Sequence, residues 1–110
     1  MKNFIQPGAI ITVIAPYAVS SGQGVKVGAL FGIASANAAQ GAQLEIKREG
    51  VFDIAAVTAD TAAQGAKVYW DDTARKITTT ATSNILVGAL TADKSGSAGT
   101  ASVLLDGVVR

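Results

Sequence analysis

Acidic side chains are the first candidates for chemistry in this sequence, because it contains no His and no Cys. Their absence excludes Ser-His-Asp and Cys-His catalysis and the usual zinc ligands. The densest acidic site is Asp71-Asp72, which follows Tyr69 and Trp70. Adjacent side chains of a strand point to opposite faces, so these carboxylates would converge on a metal ion only inside a turn. The pattern favours polar turn residues between two strands over a metal site.

A second acidic group consists of Glu45, Glu49 and Asp53, among which a glycosidase-like carboxylate pair could be sought. These acids alternate with Lys47 and Arg48. Such alternation is typical of charge pairs between neighbouring strands on a solvated face. We therefore expect no catalytic residues in this region.

The glycine-rich segment 22–28 contains Lys26, and so it has two components of a phosphate-binding loop. It lacks the G-x-x-x-x-G-K-[ST] order, and no helical pattern follows it. The segment predicts a turn that enters a strand. Together, these sites predict a protein that is not an enzyme, has no cofactor or metal ion and takes no small-molecule substrate.

The composition predicts one folded domain with a thin core. The 110 residues are 49% hydrophobic and 15% charged, which is too apolar for ordinary disorder. Much of the apolar content is small, because there are 21 Ala and 12 Gly but only 6 aromatic residues. Burying a large apolar side chain contributes roughly 1.5–3 kcal/mol and an Ala methyl much less, so we expect further burial at a subunit interface.

Charge and hydropathy exclude two classes of partner. The net charge of +1 comes from interspersed acids and bases, so there is no basic surface for nucleic acid. The apolar run 9–15 is shorter than the roughly 20 residues of a membrane span. Pro7 and Gly8 interrupt the N-terminus before any run of signal-peptide length, which predicts a soluble protein made in the cytoplasm.

Strand signals recur at short, even intervals between Gly, Pro, Asn and Asp, which is the layout of an all-β protein. We expect a small β-barrel or β-sandwich of about seven to eight short strands with at most one short helix. The expected strands are 10–15, 25–34, 43–48, 51–54, 66–70, 76–80, 85–92 and 100–105. The first is a β-branched run that reads as a buried strand.

Three local features carry further predictions. Strands 43–48 and 51–54 are expected to form a hairpin through Glu49-Gly50, and 58–64 is the one expected helix, ended by Gly65. The segments 38–42 and 62–66 are identical, as are 27–30 and 87–90. Each echo could be a duplicated binding loop, but recurrent loop-to-strand geometry is favoured.

Two places are candidates for contacts with other chains. If Tyr69 and Trp70 lie on a strand, one packs in the core and the other is free to cover an interface, where aromatic residues are enriched. Residues 1–9 form an N-terminal arm ahead of a single β domain at 10–110, with Phe4 and Ile5 separated from the first strand by Pro7. Such an arm can add to the sheet edge of another chain, although a frayed terminus is an equally good interpretation.

Several short segments, taken in order, resemble the phage capsid cement or decoration proteins, a family of small phage proteins. They are GALFGIA at 28–34, AQGA at 39–42, EGVF at 49–52, GAKVYWD at 65–71, TTT at 78–80 and LVG at 86–88. The likeness covers roughly residues 7 to 106. Some members carry a recombinase label, which this sequence contradicts because it has no phosphate loop and no alternating strand–helix pattern.

The resemblance implies a structural, often trimeric β protein on the outside of an icosahedral phage head, where it clamps neighbouring major capsid protein subunits. It implies location on the virion and offers no catalytic residues. One alternative is a different virion surface module that binds carbohydrate or a receptor. That module needs an exposed aromatic platform, for which 6 aromatic residues are little material. An enzyme using only carboxylates and hydroxyls would need a convergent set of such residues, which the sequence does not show.

Overall fold

A computed structural model describes residues 10–107, and within that range the chain is all β, with nine strands and no helix. The strands are β1 (Ile10–Ile14), β2 (Gly24–Val27), β3 (Leu30–Ala34), β4 (Gln43–Lys47), β5 (Glu49–Ala55), β6 (Lys67–Asp71), β7 (Lys76–Thr78), β8 (Ile85–Leu90) and β9 (Thr100–Asp106). They form two antiparallel sheets, β1-β4-β3-β2 and β5-β9-β8-β6-β7. The predicted all-β class is confirmed. This part of the chain has no helix able to cross a membrane.

The ninth strand arises because the predicted strand 25–34 is a hairpin. β2 and β3 pair from Gly24↔Ile33 to Val27↔Leu30, which leaves a two-residue loop. Gly28 opens that loop with φ +60°, as the first central residue of a type II′ turn requires. Gly28 therefore reverses the chain between β2 and β3.

The predicted hairpin between 43–48 and 51–54 is wrong. β4 lies between β1 and β3 in the four-stranded sheet, whereas β5 pairs along its whole length with β9 in the other sheet. Glu49 and Gly50 belong to β5 and make no turn. The chain crosses between the sheets at Arg48, whose guanidinium donates to the Gly107 carbonyl just after β9.

The four-stranded sheet buries a small cluster of its own. Leu44 and Ile46 of β4 are buried while Glu45 and Lys47 are exposed, which confirms the predicted alternation. The other buried members of this cluster are Ala15, Val19, Val25 and Ala34. Four of its six buried residues are Ala or Val, so this core is thin, as the composition predicts.

The five-stranded sheet curls around the larger cluster without closing into a barrel. Its two edge strands approach at a single bridge between Ala56 and Ile77, where the Val57 N–H donates to the Ile77 carbonyl at 2.9 Å. The cluster centres on Trp70 and Val103, both almost fully buried. Ile33 of the other sheet also packs into it.

The echo between 38–42 and 62–66 is recurrent loop-to-strand geometry, and the structure contains a third copy. Gly22, Gly41 and Gly65 have φ of +88°, +87° and +88°, each in the turn before a strand. Their N–H groups donate to strand-end carbonyls at Ala34 (2.9 Å), Ala15 (2.9 Å) and Leu90 (2.8 Å). The other echo is coincidental, because 27–30 is a hairpin turn and 87–90 lies inside β8.

The predicted helix at 58–64 is wrong, because its backbone carbonyls have other partners. The buried Lys94 ammonium donates to the carbonyls of Thr58 (3.2 Å), Asp60 (2.7 Å) and Ser95 (3.1 Å). Ala62 forms a bridge with Lys94 in both directions. A buried ammonium must keep its hydrogen bonds, so these contacts outweigh the helix propensity of three Ala residues.

The Asp60 carboxylate ties the same segment to the end of β7. Its Oδ2 accepts from the Thr79 N–H at 2.9 Å and from the Thr78 hydroxyl at 2.8 Å. These hydrogen bonds, with the backbone bond from Thr79 the strongest, and the nearby Lys94 charge lower the pKa of Asp60. The charged form of Asp60 therefore stabilises the fold.

We expect Asp60→Asn to reduce the sensitivity of the protein to acid. Because folding lowers the pKa of Asp60 below its unfolded value of about 3.9, its stabilisation is present above that value and is lost as the pH falls through the folded-state pKa. Urea unfolding should show the variant to be less stable than wild type at about pH 7, with a smaller difference at about pH 3. Asp53→Asn, on the exposed face of β5, is the control. Equal losses of stability in acid for Asp60→Asn and wild type would contradict this assignment.

Candidate interaction surfaces

Trp70, predicted as a core or interface residue, lies in the core with 2% of its surface exposed. Its ring meets the Phe31 ring with 5.1 Å between centroids, and its Nε1–H donates to Asp72 Oδ1 at 3.0 Å. A Cβ added at Gly24 would lie 2.7 Å from the same indole. Trp70 therefore has almost no surface to offer to another chain, and Gly24 is required for the close approach of β2.

Tyr69 lies on the opposite face of β6 and is half-buried, between Thr78 of β7 and Leu86 of β8. Of the two aromatic residues, it is the one with surface available for an interface. The predicted contact residues Phe4, Ile5 and Pro7 lie outside the described residues. An interface at these positions stays a prediction.

The two adjacent carboxylates of the β6–β7 turn do not converge on a common point. Asp71 Oδ1 accepts from the N–H groups of Thr73 (3.0 Å) and Ala74 (3.2 Å), as in an Asx turn. Asp72 Oδ1 instead accepts from Trp70. Across residues 10–107, no three acidic side chains are placed to hold a metal ion.

The other acidic candidates are divided between the sheets. Glu45 stands opposite Thr12 in the four-stranded sheet, whereas Asp53 stands opposite Ser102 in the five-stranded one. The predicted charge pairing between their two strands is therefore wrong, since it depended on a hairpin that does not form. What remains is three exposed carboxylates on two separate sheets.

A polar cluster joins the sheets at one side of Trp70. The Tyr17 hydroxyl, from the loop after β1, donates to Asp72 Oδ1 at 3.0 Å, and the Arg75 guanidinium lies 3.6 Å from the centre of the Tyr17 ring. Burial is the main cause that raises the pKa of Tyr17. Arg75 lies in the β6–β7 turn and has a left-handed backbone conformation, with φ +56°. The cluster holds the loop after β1 against the β6–β7 turn.

The outer face of the five-stranded sheet carries an exposed apolar row, which we call the β5–β9 row. Val51 and Leu104 stand directly opposite each other and are 57% and 47% exposed. Ala89 of β8 is the next residue across from Leu104, and Lys67 of β6 ends the row. Large apolar side chains exposed on a sheet face, with no cover in the described part of the chain, are typical of a contact surface.

Acidic residues flank this row. Glu49 and Asp53 lie two positions to either side of Val51 on β5, and Asp106 lies two positions from Leu104 on β9. All three are exposed. The surface therefore presents an apolar centre with an acidic border, which suits a protein partner with an apolar contact and basic residues around it.

A second exposed apolar strip runs along β1. Ile10 and Ile14 are 46% and 56% exposed, with the exposed Thr12 between them. The expectation that this strand is buried is thus half wrong, since only Ile11 and Val13 pack into the cluster. The sequence signal is that apolar residues occupy both faces of the strand, which also holds for Val51-Phe52 and Leu104-Leu105.

Residues 5–105 match the family model described as phage cement protein. Neither the curated proteins nor the solved structures contain a match to this chain.

We expect Asp72→Ala to destabilise the protein by about 1–3 kcal/mol, because it leaves the buried Trp70 Nε1–H and the Tyr17 hydroxyl without their acceptor. Asp72→Asn keeps a side-chain oxygen and should retain most of the stability. Urea unfolding followed by the fluorescence of Trp70, the only Trp, measures both. Asp53→Ala is the exposed control, and an Asp72→Ala variant as stable as this control would contradict the bridging role.

Proposed function

This chain belongs to the phage cement protein family, so its role is structural, as a capsid cement, and we propose that it binds the outside of a phage head through the β5–β9 row. The observation that carries the proposal is the exposed Val51–Leu104 pair on the outer face of the five-stranded sheet. A cement stabilises a shell by burying surface across the junctions between major capsid protein subunits. An apolar row with a charged border provides that surface without any chemical step.

We also propose that the protein acts as a homotrimer. The family resemblance supports this number, and the thin cores support association in general, because a chain with few large buried side chains gains stability from a subunit interface. Simultaneous contacts from three subunits would multiply weak individual contacts with the shell. Of the predicted interface residues, Tyr69 is the best placed for a contact between subunits. Trp70, the next residue of the same strand, is buried in the core.

The proposal includes no enzymatic activity, cofactor or nucleic-acid contact. Each acidic candidate in the described residues has a structural place or lies alone on an exposed face, and the family is a structural one. The alternative, a carbohydrate-binding or receptor-binding module, is not favoured. The Phe31 and Trp70 rings pack against each other at a tilt of 50° and Arg75 covers the Tyr17 ring, so these aromatic residues form no exposed platform. Synthesis in the host cytoplasm followed by addition to the virion completes the proposal.

Leu104→Lys should weaken binding to heads that lack the protein by about tenfold or more. Burying a large apolar side chain contributes roughly 1.5–3 kcal/mol, and 1.4 kcal/mol corresponds to about tenfold in affinity. Binding would be measured by co-sedimentation of purified protein with heads, after urea unfolding has shown that the variant folds. Thr100→Lys, on the same strand and face but away from the row, is the matched control. If both variants bind as wild type does, the β5–β9 row is not the capsid contact.

Deletion of residues 1–7 tests the N-terminal arm separately. If the arm that contains Phe4, Ile5 and Pro7 pairs with a strand of the capsid protein, the shortened chain should fold normally and co-sediment less with heads. Undiminished binding would remove the arm from the proposal and leave the role of the β5–β9 row untouched.

A further inference from the structure

A small cavity lies between the two sheets, beside the polar cluster that joins them. Its volume is about 80 Å³, and residues of both sheets and of the β6–β7 turn line it. Gly24 and Trp70 in this lining are buried, whereas Gln23, Ala55 and Arg75 are exposed. The cavity therefore has a largely apolar floor and a rim that solvent reaches. One water needs only roughly 10–15 Å³, so the cavity has room for a small organic group.

Arg75 lines this cavity, and in the described part of the chain its guanidinium has an aromatic contact but no hydrogen-bond acceptor. It lies over the Tyr17 ring, 3.6 Å from the ring centre. A guanidinium stacked on an aromatic ring keeps its N–H donors, which project in its own plane. The two carboxylates of the same turn have other partners. Asp71 Oδ1 accepts from two backbone N–H groups of the turn, and Asp72 Oδ1 accepts from two aromatic side chains.

The other polar side chains that line the cavity have their acceptor atoms already engaged. Gln23 Oε1 accepts from the Ser20 N–H at 2.8 Å, which leaves the Nε2 amide group of Gln23 to donate. The Tyr17 hydroxyl donates to Asp72 Oδ1 at 3.0 Å and accepts from the Lys26 N–H at 3.4 Å. The cavity therefore offers donors together with a positive charge, and a group that enters it must supply acceptors.

The backbone conformation of Arg75 points to a use for its side chain. Its φ of +56° lies in the left-handed region, which Gly and Asn adopt more easily than a residue with a long side chain. The turn by itself would be served better by one of those residues. An Arg at this position is therefore explained by what its guanidinium contacts. Its contact with Tyr17 accounts for one face of the guanidinium and leaves the N–H donors to account for.

We propose that this cavity binds a carboxylate on a short apolar chain, namely a Glu or Asp side chain of a neighbouring protein chain. The forked donors of Arg75 match the two oxygens of a carboxylate, Gln23 adds a further donor, and the floor accepts the CH₂ groups. The acidic side chain can belong to a major capsid protein subunit or to a second copy of this chain, whose Glu45 and Asp53 are exposed. The site is separate from the β5–β9 row, whose acidic border suits a partner of the opposite charge.

Free propionate tests the chemistry of the site without any partner protein. In an NMR titration of the isotope-labelled protein, sodium propionate at millimolar concentrations should shift the side-chain N–H signals of Arg75 and Gln23 in a saturable way. Propionamide has nearly the same size and no charge, so it should cause no such shift, and neither should sodium chloride at the same ionic strength. Equal shifts with propionamide, or no saturable shift with propionate, would overturn the proposal.

Substitutions of Arg75 test whether its guanidinium is the binding group. Arg75→Gly should abolish the propionate shift at Gln23, and because Gly suits the left-handed turn the variant should fold, which urea unfolding checks. Arg75→Lys keeps the charge but loses the planar fork, so it should bind propionate several-fold more weakly than wild type. Lys76→Met removes the next, exposed cation and is the matched control, with wild-type affinity expected. Equal losses in Arg75→Gly and Lys76→Met would indicate general charge attraction and overturn the proposal.

Two measurements identify the chain that supplies the carboxylate. If it is a second copy, sedimentation equilibrium should give Arg75→Gly a lower mass than Lys76→Met. If it is a capsid subunit, the masses should agree and Arg75→Gly should bind heads about tenfold or more weakly than Lys76→Met. An Arg75→Gly protein that equals the control in both mass and head binding would overturn the proposal. Wild-type protein that fails to bind heads would instead remove the cement role, and the propionate titration would still decide the chemistry of the cavity.

Discussion

The contact of Trp70 with both sheets is the interaction on which the rest of the structure depends. The indole fills the centre of the five-stranded sheet, and Phe31 and Gly24 of the other sheet pack against it. Its N–H reaches Asp72, which also accepts from Tyr17. With few large side chains available, one Trp provides much of the area that holds two thin sheets together. The outer faces are consequently left to carry the exposed apolar residues, because the inner faces are already filled.

The sequence predicted those elements whose partners are close along the chain. The turn between β6 and β7 and the alternation within β4 follow from turn residues and period-two hydropathy, and both are present. The β4–β5 hairpin failed because the burial of Leu44 in one cluster and Ile54 in the other separates two adjacent strands. The prediction of a helix at 58–64 failed because Lys94, more than thirty residues away, donates hydrogen bonds to the carbonyls of Thr58 and Asp60. Both failures come from contacts that local patterns do not record.

The candidate surfaces were harder to predict than the core, for a related reason. That Tyr69 and Trp70 face opposite ways follows from strand geometry, but which of them is buried depends on the position of the second sheet. Val51 and Leu104 become one exposed row only through the β5–β9 register, which joins residues more than fifty positions apart. The sequence did contain a signal for these surfaces. Apolar residues at consecutive strand positions give a strand two apolar faces, and packing against a single core needs only one.

A sheet protein that must not aggregate in solution and yet must bind tightly on a shell has to divide its surfaces. Acidic residues border the β5–β9 row, so basic residues around a partner's apolar contact would be attracted to it. Contacts that are weak one at a time become strong when many copies share one surface. A thin, Ala-rich and Gly-rich fold is therefore compatible with a stabilising role, because the strength of a cement lies in the number of its contacts.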